Sequence, residues 1–182
     1  MSVFKLRYSS SSQLTSRESA REVCLDLSIF GQPTHRFKPM VDGLVQENQE
    51  FDLRFHPTLV YVEFPHVNGS LDETGPTSVG QDAARILQWL RTTKCVKGIL
   101  RLCVPESSPR SESEDVICKA LCGISVDVLD WRVLDLSLDV IFCNDSKNLE
   151  ELYLYGSGNL GVLQQWSGPE GVTILPNVSI AS

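Results

Sequence analysis

Apolar residues return at a fixed interval in the second half of the chain. Eight apolar residues form four pairs whose starts lie 26 residues apart: Leu100 and Leu102, Val126 and Val128, Leu152 and Leu154, Val178 and Ile180. A residue of different character stands inside each pair: Arg101, Asp127, Tyr153 and Ser179. Alternation of period two is typical of a strand with one buried face. Its return every 20–29 residues, roughly, is typical of a leucine-rich-repeat-like solenoid.

Helices are predicted between these strands. A further strand is predicted over 59–64, and the pattern over 134–142 predicts a short helix or an extra strand. Capping residues and apolar faces predict three helices, over 78–90, 111–123 and 159–168. The pattern therefore predicts an α/β domain of strand–helix units over 55–182.

The first third of the chain has a weaker pattern. Residues 2–8 predict a strand, 15–30 a helix, and 31–57 loops rich in proline and glycine. We therefore predict that 1–54 form an N-terminal addition or cap on the domain.

Two architectures suit alternating strands and helices. A three-layer α/β sheet covers both faces and would bury Arg101 and Asp127, and a buried charge without a partner is costly. A leucine-rich-repeat-like stack places its helices on one side of a parallel sheet and leaves those residues exposed. We favour the one-sided parallel sheet and keep the three-layer sheet as the alternative.

Charge narrows the class of partner. The chain of 182 residues has a net charge of −7, and no cluster of Lys and Arg is evident. Nucleic acids and anionic membranes require concentrated positive charge, so neither is an expected partner. The N-terminus lacks the basic-then-apolar order of a signal peptide, which predicts a cytoplasmic location. In that compartment the six cysteines are expected as small buried hydrophobes rather than disulfides.

One glycine motif suggests a nucleotide. Gly156 to Gly161 match G-x-G-x-x-G between a predicted strand and a predicted helix. The acidic residue expected about 20 positions later in a dinucleotide-binding unit is missing, however. We interpret the motif as a turn and keep a nucleotide-dependent enzyme as an unfavoured alternative.

Other chemistry-bearing residues lack a convincing constellation. Cys118 and Cys122 lie one helical turn apart, but no two further zinc ligands are near in sequence. A series of aspartates follows at Asp127, Asp130, Asp135 and Asp139, and it is typical of strand ends and turns. We predict no catalytic residue, no metal and no cofactor, and hence a chain that is not itself an enzyme.

The open face of the predicted sheet is the candidate contact surface. Aromatic and arginine side chains are common anchors of protein interfaces, and solenoids bind partners through such faces. The residues predicted to contact a partner protein are Arg101, Asp127, Leu129, Tyr153 and Tyr155.

Four stretches carry a resemblance to a known family. They are Val96–Pro105, Val128–Ser137, Leu152–Asn159 and Val162–Gly168. Together they resemble a region of large intracellular fungal proteins that carry a subtilisin-like serine protease domain. The similarity covers roughly residues 55–182.

The resemblance implies a non-catalytic role. In that family the similar stretches precede the catalytic domain, so the catalytic Asp, His and Ser would lie beyond Ser182. We therefore expect a protein-interaction or regulatory domain that binds its own protease domain or a separate protein. A stand-alone binding module of leucine-rich-repeat type is the alternative.

Overall fold

Strands and helices alternate along the described part of the chain. The computed structural model describes residues 22–30, 37–46, 53–66, 79–105, 113–142 and 146–178. The strands are β1 (Cys24–Asp26), β2 (Thr58–Glu63), β3 (Gly98–Val104), β4 (Ser125–Leu134) and β5 (Glu151–Tyr155). The helices are α1 (Phe37–Val45), α2 (Val79–Thr92), α3 (Glu114–Leu121), α4 (Leu138–Phe142) and α5 (Leu160–Ser167).

The five strands form one parallel sheet whose order in space is their order in the chain. One apolar row crosses all five strands in register: Leu25, Val62, Leu102, Leu129 and Leu152. The first four side chains in this row are buried, and the fifth, on the edge strand, is half-buried. This row is the centre of the hydrophobic core.

The spacing of the strands differs from the predicted one. Leu102 pairs with Leu129 and Leu129 with Leu152, so successive units are 27 and 23 residues long. The constant interval of 26 is therefore wrong as a register. In β3 the buried side chains are Ile99, Leu102 and Val104, whereas Leu100 is 41% exposed. The core follows L-x-x-L-x-L rather than simple alternation.

The helices α1, α2 and α3 pack against one another in chain order. Connections between parallel strands are right-handed. Because each new strand is added on the same side of the previous one, all of these connections, with their helices, lie on the same face of the sheet. The described structure is therefore an α/β stack with a five-stranded parallel sheet and its helix layer on one side. This confirms the predicted fold class.

Local sequence explains where two helices begin and end. Asn159 caps α5, because its side-chain oxygen accepts a hydrogen bond from the Gly161 N–H at 3.0 Å. Gly123 follows the end of α3 with φ +76°, a conformation that glycine adopts without strain. Both positions agree with the predicted helices over 159–168 and 111–123.

Two predictions outside the repeat pattern need correction, and a third is confirmed in one of its alternatives. The helix predicted over 15–30 is wrong where described, because Cys24–Asp26 form a strand; three residues are too few for a periodic signal. The loops predicted over 31–57 contain α1. Of the two alternatives predicted over 134–142, the short helix is confirmed: α4 follows the end of β4 at Leu134.

The first and the last of the predicted strands lie wholly or partly outside the described residues. The strand predicted over 2–8 lies outside them. Val178 is described and is not in a strand, whereas Ser179 and Ile180 lie outside the described residues. The predicted division at residue 54 stays a prediction, and β1 and α1, which precede it, continue the same sheet and helix layer.

The cysteines depart in part from expectation. Cys24 is a free, buried thiol, as predicted, whereas Cys95 and Cys122 are free and exposed. Cys118 of α3 is disulfide-bonded, so the prediction of a reduced packing residue is wrong there. Within the described residues, no helix combines the length and apolar character that a membrane crossing requires.

The register of β3 can be tested with a matched pair of leucines. Leu102→Ala removes a fully buried side chain, and we expect the free energy of unfolding to fall by about 2–5 kcal/mol. Leu100→Ala truncates a partly exposed side chain and is expected to cost less than about 1 kcal/mol. Urea unfolding of both variants measures the difference, and equal losses would contradict the register.

Candidate binding face of the sheet

Two rows of side chains lie on the face of the sheet opposite the helices, and we call this surface the open face. The first row is Cys24, Tyr61, Arg101, Val128 and Glu151; the second is Asp26, Glu63, Cys103, Asp130 and Tyr153. Members of these rows are exposed or half-buried, except Cys24 and Asp130, which are buried. Strand pairing alone therefore brings residues from five distant parts of the chain onto one surface.

Four of the five predicted contact residues are exposed or half-buried. Arg101 and Tyr153 are exposed and lie in the two rows. Tyr155 is half-buried at the end of β5. Asp127 is half-buried but belongs to neither row, because Val128 is the residue that pairs with Arg101 and Asp127 has the strand parity of Leu129. Leu129 is only 2% exposed and belongs to the apolar row of the core, so its placement on the open face is wrong.

A cluster of hydrogen-bonded polar side chains lies on the open face, toward the carboxyl ends of β3, β4 and β5. At its centre is the carboxylate of Asp130, 4% exposed. It accepts hydrogen bonds from the Tyr155 hydroxyl at 2.8 Å and from the Arg132 guanidinium at 3.2 and 3.4 Å. The Cys103 thiol also donates to it, with 3.6 Å between sulfur and oxygen. We call these four residues the Asp130 cluster.

The surroundings of Asp130 keep it ionised. Burial by itself raises the pKa of this carboxyl, but hydrogen bonds from Arg132 and Tyr155 and the charge of Arg132 together outweigh burial. The result is a pKa below the usual range for aspartate. The same contacts raise the pKa of Arg132.

The other two members of the cluster keep their protons at neutral pH. Burial and the charge of Asp130 raise the pKa of Cys103 to about 11. Burial and the hydrogen bond to Asp130 raise the pKa of Tyr155 above its usual value. Proton transfer near pH 7 requires a group whose pKa lies near that pH. The Asp130 cluster is therefore better suited to holding a fixed arrangement of charges and donors than to acid–base chemistry.

Sequence patterns reveal little of this cluster. In the sequence Asp130 is one of a series of aspartates, and neither Arg132 nor Cys103 stands out as a site residue. The Tyr155 and Cys103 partners of Asp130 lie 25 and 27 residues away in the chain, and the strand register brings them together. Only a correct register, with Asp130 opposite Cys103 and Tyr153, would have revealed the cluster.

In the glycine turn at 156–161, N–H groups that could bind a phosphate already donate hydrogen bonds to side chains of this chain. The Ser157 N–H and hydroxyl both donate to Asp135, and the Gly161 N–H donates to Asn159. The hydrogen bonds from Ser157 lower the pKa of Asp135. A negative carboxylate therefore lies beside the turn and would repel a phosphate. Among the described strands, the order β1-β2-β3-β4-β5 also lacks the reversal at which open α/β sheets form a ligand crevice. These observations disfavour a dinucleotide at this turn.

Metal ligands do not converge in the part of the chain that the structure describes. There, His, Cys, Asp and Glu side chains nowhere form a group of three that could hold a metal ion. Asp135 and Asp139 lie after β4; the Asp135 carboxylate accepts hydrogen bonds from Ser157, and the Asp139 backbone N–H donates to the Ser137 hydroxyl. The groups on the open face that can contact a partner are hydrogen-bonding side chains, charged side chains and aromatic rings.

The raised pKa of Cys103 predicts slow alkylation. At about pH 8 only about one Cys103 side chain in a thousand is a thiolate, and the thiolate is the reactive form. Mass spectrometry after brief iodoacetamide treatment should show Cys103 modified at least about ten-fold more slowly than the exposed Cys95 and Cys122. Modification at the same rate would contradict the hydrogen-bonded arrangement.

The lowered pKa of Asp130 predicts a pH-dependent contribution to stability. The ionised form stabilises the fold above its unfolded pKa of about 3.9, and this contribution is lost as pH falls through the lower folded value. We expect Asp130→Asn to lower the free energy of unfolding by about 1–3 kcal/mol at pH 7 and by much less near pH 2.

The control for this experiment is Asp139→Asn, which neutralises an exposed carboxylate on α4. It should have little effect at either pH. A loss from Asp130→Asn that is the same at both pH values would show that the ionised carboxylate is not what stabilises the cluster.

Comparison with known proteins supplies no relative. No protein-family model, no curated protein and no solved structure matches the chain. The resemblance to the region that precedes fungal subtilisin-like protease domains therefore stays a prediction.

Proposed function

We propose that this chain binds another protein through the open face. The observation that carries the proposal is the one-sided sheet, on which Tyr153 and Arg101 remain exposed between strands whose opposite side is the core. Tyrosine and arginine supply much of the binding energy in protein interfaces, because they combine apolar area with hydrogen-bonding groups.

Rigidity of the surface supports the proposal. The backbone of the open face is fixed by strand pairing, and the Asp130 cluster fixes the side chains of Tyr155 and Arg132 through several hydrogen bonds. A surface that is already ordered loses little conformational entropy when a partner binds. The open face therefore offers a preorganised contact surface.

The resemblance suggests the partner. It implies that the chain flanks a subtilisin-like serine protease domain, and we propose that domain as the first partner to test. A separate protein would use the same face if the chain acts as a stand-alone module of leucine-rich-repeat type. The flanking domain and the stand-alone module would differ in their partner but would use the same contact surface.

A cytoplasmic location stays a prediction from the N-terminal sequence. The disulfide at Cys118 weighs against it, because disulfides persist mainly in oxidising compartments. The binding proposal does not depend on which compartment is correct.

The experiment compares two double variants of equal charge. Arg101→Ala with Tyr153→Ala removes the two exposed anchors of the open face. Lys119→Ala with Ile174→Ala removes one exposed cation and one exposed apolar side chain elsewhere. Affinity for the protease domain, measured by calorimetry, should fall about ten-fold or more only in the first variant.

The same pair of variants tests a separate partner. Any protein captured from the native host should be retained by the Lys119/Ile174 variant and lost by the Arg101/Tyr153 variant. If both folded variants bind the protease domain and every captured protein as the wild type does, the open face is not the contact surface.

A further inference from the structure

Two acidic residues are paired across β1 and β2 on the open face. Asp26 and Glu63 are direct cross-strand partners. Asp26 is half-buried and accepts hydrogen bonds from the Ser28 N–H at 3.0 Å and the Ser28 hydroxyl at 2.5 Å. Glu63 is exposed, and among the described residues neither carboxylate is in an ion pair. Two negative charges on paired strand positions repel each other, and a cation bound beside both is attracted to each of them.

The negative field of this region reaches the neighbouring thiols. Burial is the main reason for the raised pKa of Cys24, and the charges of Glu22 and Asp26 raise it further. The pKa of Cys103 is raised by burial and by Asp130, and the charge of Glu63 adds to them. On β1 and β2 the charged side chains of the two rows, Asp26 and Glu63, are therefore both acidic, and the exposed cation Arg101 lies on the neighbouring β3.

The part of the open face on β4 and β5 has a different character. There the charge of Asp130 is matched by Arg132, and the ring of Tyr153 is exposed beside them. Glu63 and Tyr153 lie in the same row, on β2 and β5. Three strand spacings of about 4.8 Å separate them by roughly 14 Å. An extended chain covers that distance in about four residues.

We propose that the partner of the open face presents a basic segment, with Lys or Arg over Asp26 and Glu63 and an aromatic or apolar side chain over Tyr153 about four residues away. This inference rests on the proposed binding function and names the chemistry of the partner. A second copy of the chain is a poor occupant, because a net charge of −7 would bring further carboxylates to Asp26 and Glu63.

The test uses a pair of designed fluorescent peptides. Both have ten residues and carry Tyr and Leu four residues after a charged pair, which is Lys-Lys in one peptide and Glu-Glu in the other. Binding is measured by fluorescence anisotropy at about 50 mM salt, where exposed charges are weakly screened. We expect the wild-type chain to bind the lysine peptide and to bind the glutamate peptide at least about five-fold more weakly.

Matched variants separate a local effect from the net charge. Asp26→Asn with Glu63→Gln neutralises the acidic pair, and the introduced asparagine keeps an acceptor oxygen for Ser28. Asp115→Asn with Glu170→Gln neutralises two exposed carboxylates on α3 and after α5. Both variants change the net charge equally, and thermal unfolding checks that both are folded. The first should weaken lysine-peptide binding about five-fold, and the second by less than about two-fold.

Three results would overturn the inference: equal losses in both variants, equal binding of the two peptides, or no binding of the lysine peptide at millimolar concentration. The failure of this inference is distinguishable from that of the proposed function. If Arg101→Ala with Tyr153→Ala abolishes partner binding and Asp26→Asn with Glu63→Gln does not, the open face binds a protein that lacks the basic segment.

Discussion

The register of one apolar row sets the geometry of the whole described structure. Five side chains, one from each strand, meet across the sheet from Leu25 to Leu152. Side chains alternate between the two faces of a strand, so a slip of one residue would move each apolar set to the wrong face. Burying this row beneath α1, α2 and α3 therefore fixes which residues form the open face.

The Asp130 cluster is a direct consequence of that register. Because Leu129 belongs to the core, Asp130 must lie on the open face, between Cys103 and Tyr153. A buried carboxylate without partners would be costly, but Arg132, Tyr155 and Cys103 all donate to it. These donors stabilise the buried negative charge of Asp130, and the same hydrogen bonds hold the donor side chains in place. A protein-binding face gains from such order, since less entropy is lost on association.

Sequence reasoning succeeds where a physical signal is local. Alternating apolar residues mark β2, β3, β4 and β5, and the cap at Asn159 marks α5. It fails where the signal depends on other parts of the chain. The three residues of β1 are recognised as a strand only by their pairing with β2. Leu100 and Leu102 are both leucine, and only the pairing with β4 shows which of them is buried.

The candidate site shows the same division. Alternation alone predicts Arg101 and Tyr153 on the open face, and they are exposed there. Leu129 is misplaced when a constant interval of 26 is imposed on units of 27 and 23 residues. The partners of Asp130 and the pairing of Asp26 with Glu63 depend on registers between distant segments. Local periodicity carries no information about such contacts.

Hydroxyl-radical footprinting of the free protein tests the one-sided sheet most directly. Tyr153 and Trp131 lie on neighbouring strands, but the first is 40% exposed on the open face and the second is 1% exposed in the core. A one-sided sheet predicts rapid oxidation of Tyr153 and strong protection of Trp131. Equal protection of both rings would mean that a second layer covers the open face, and the open face would then not be a free binding surface.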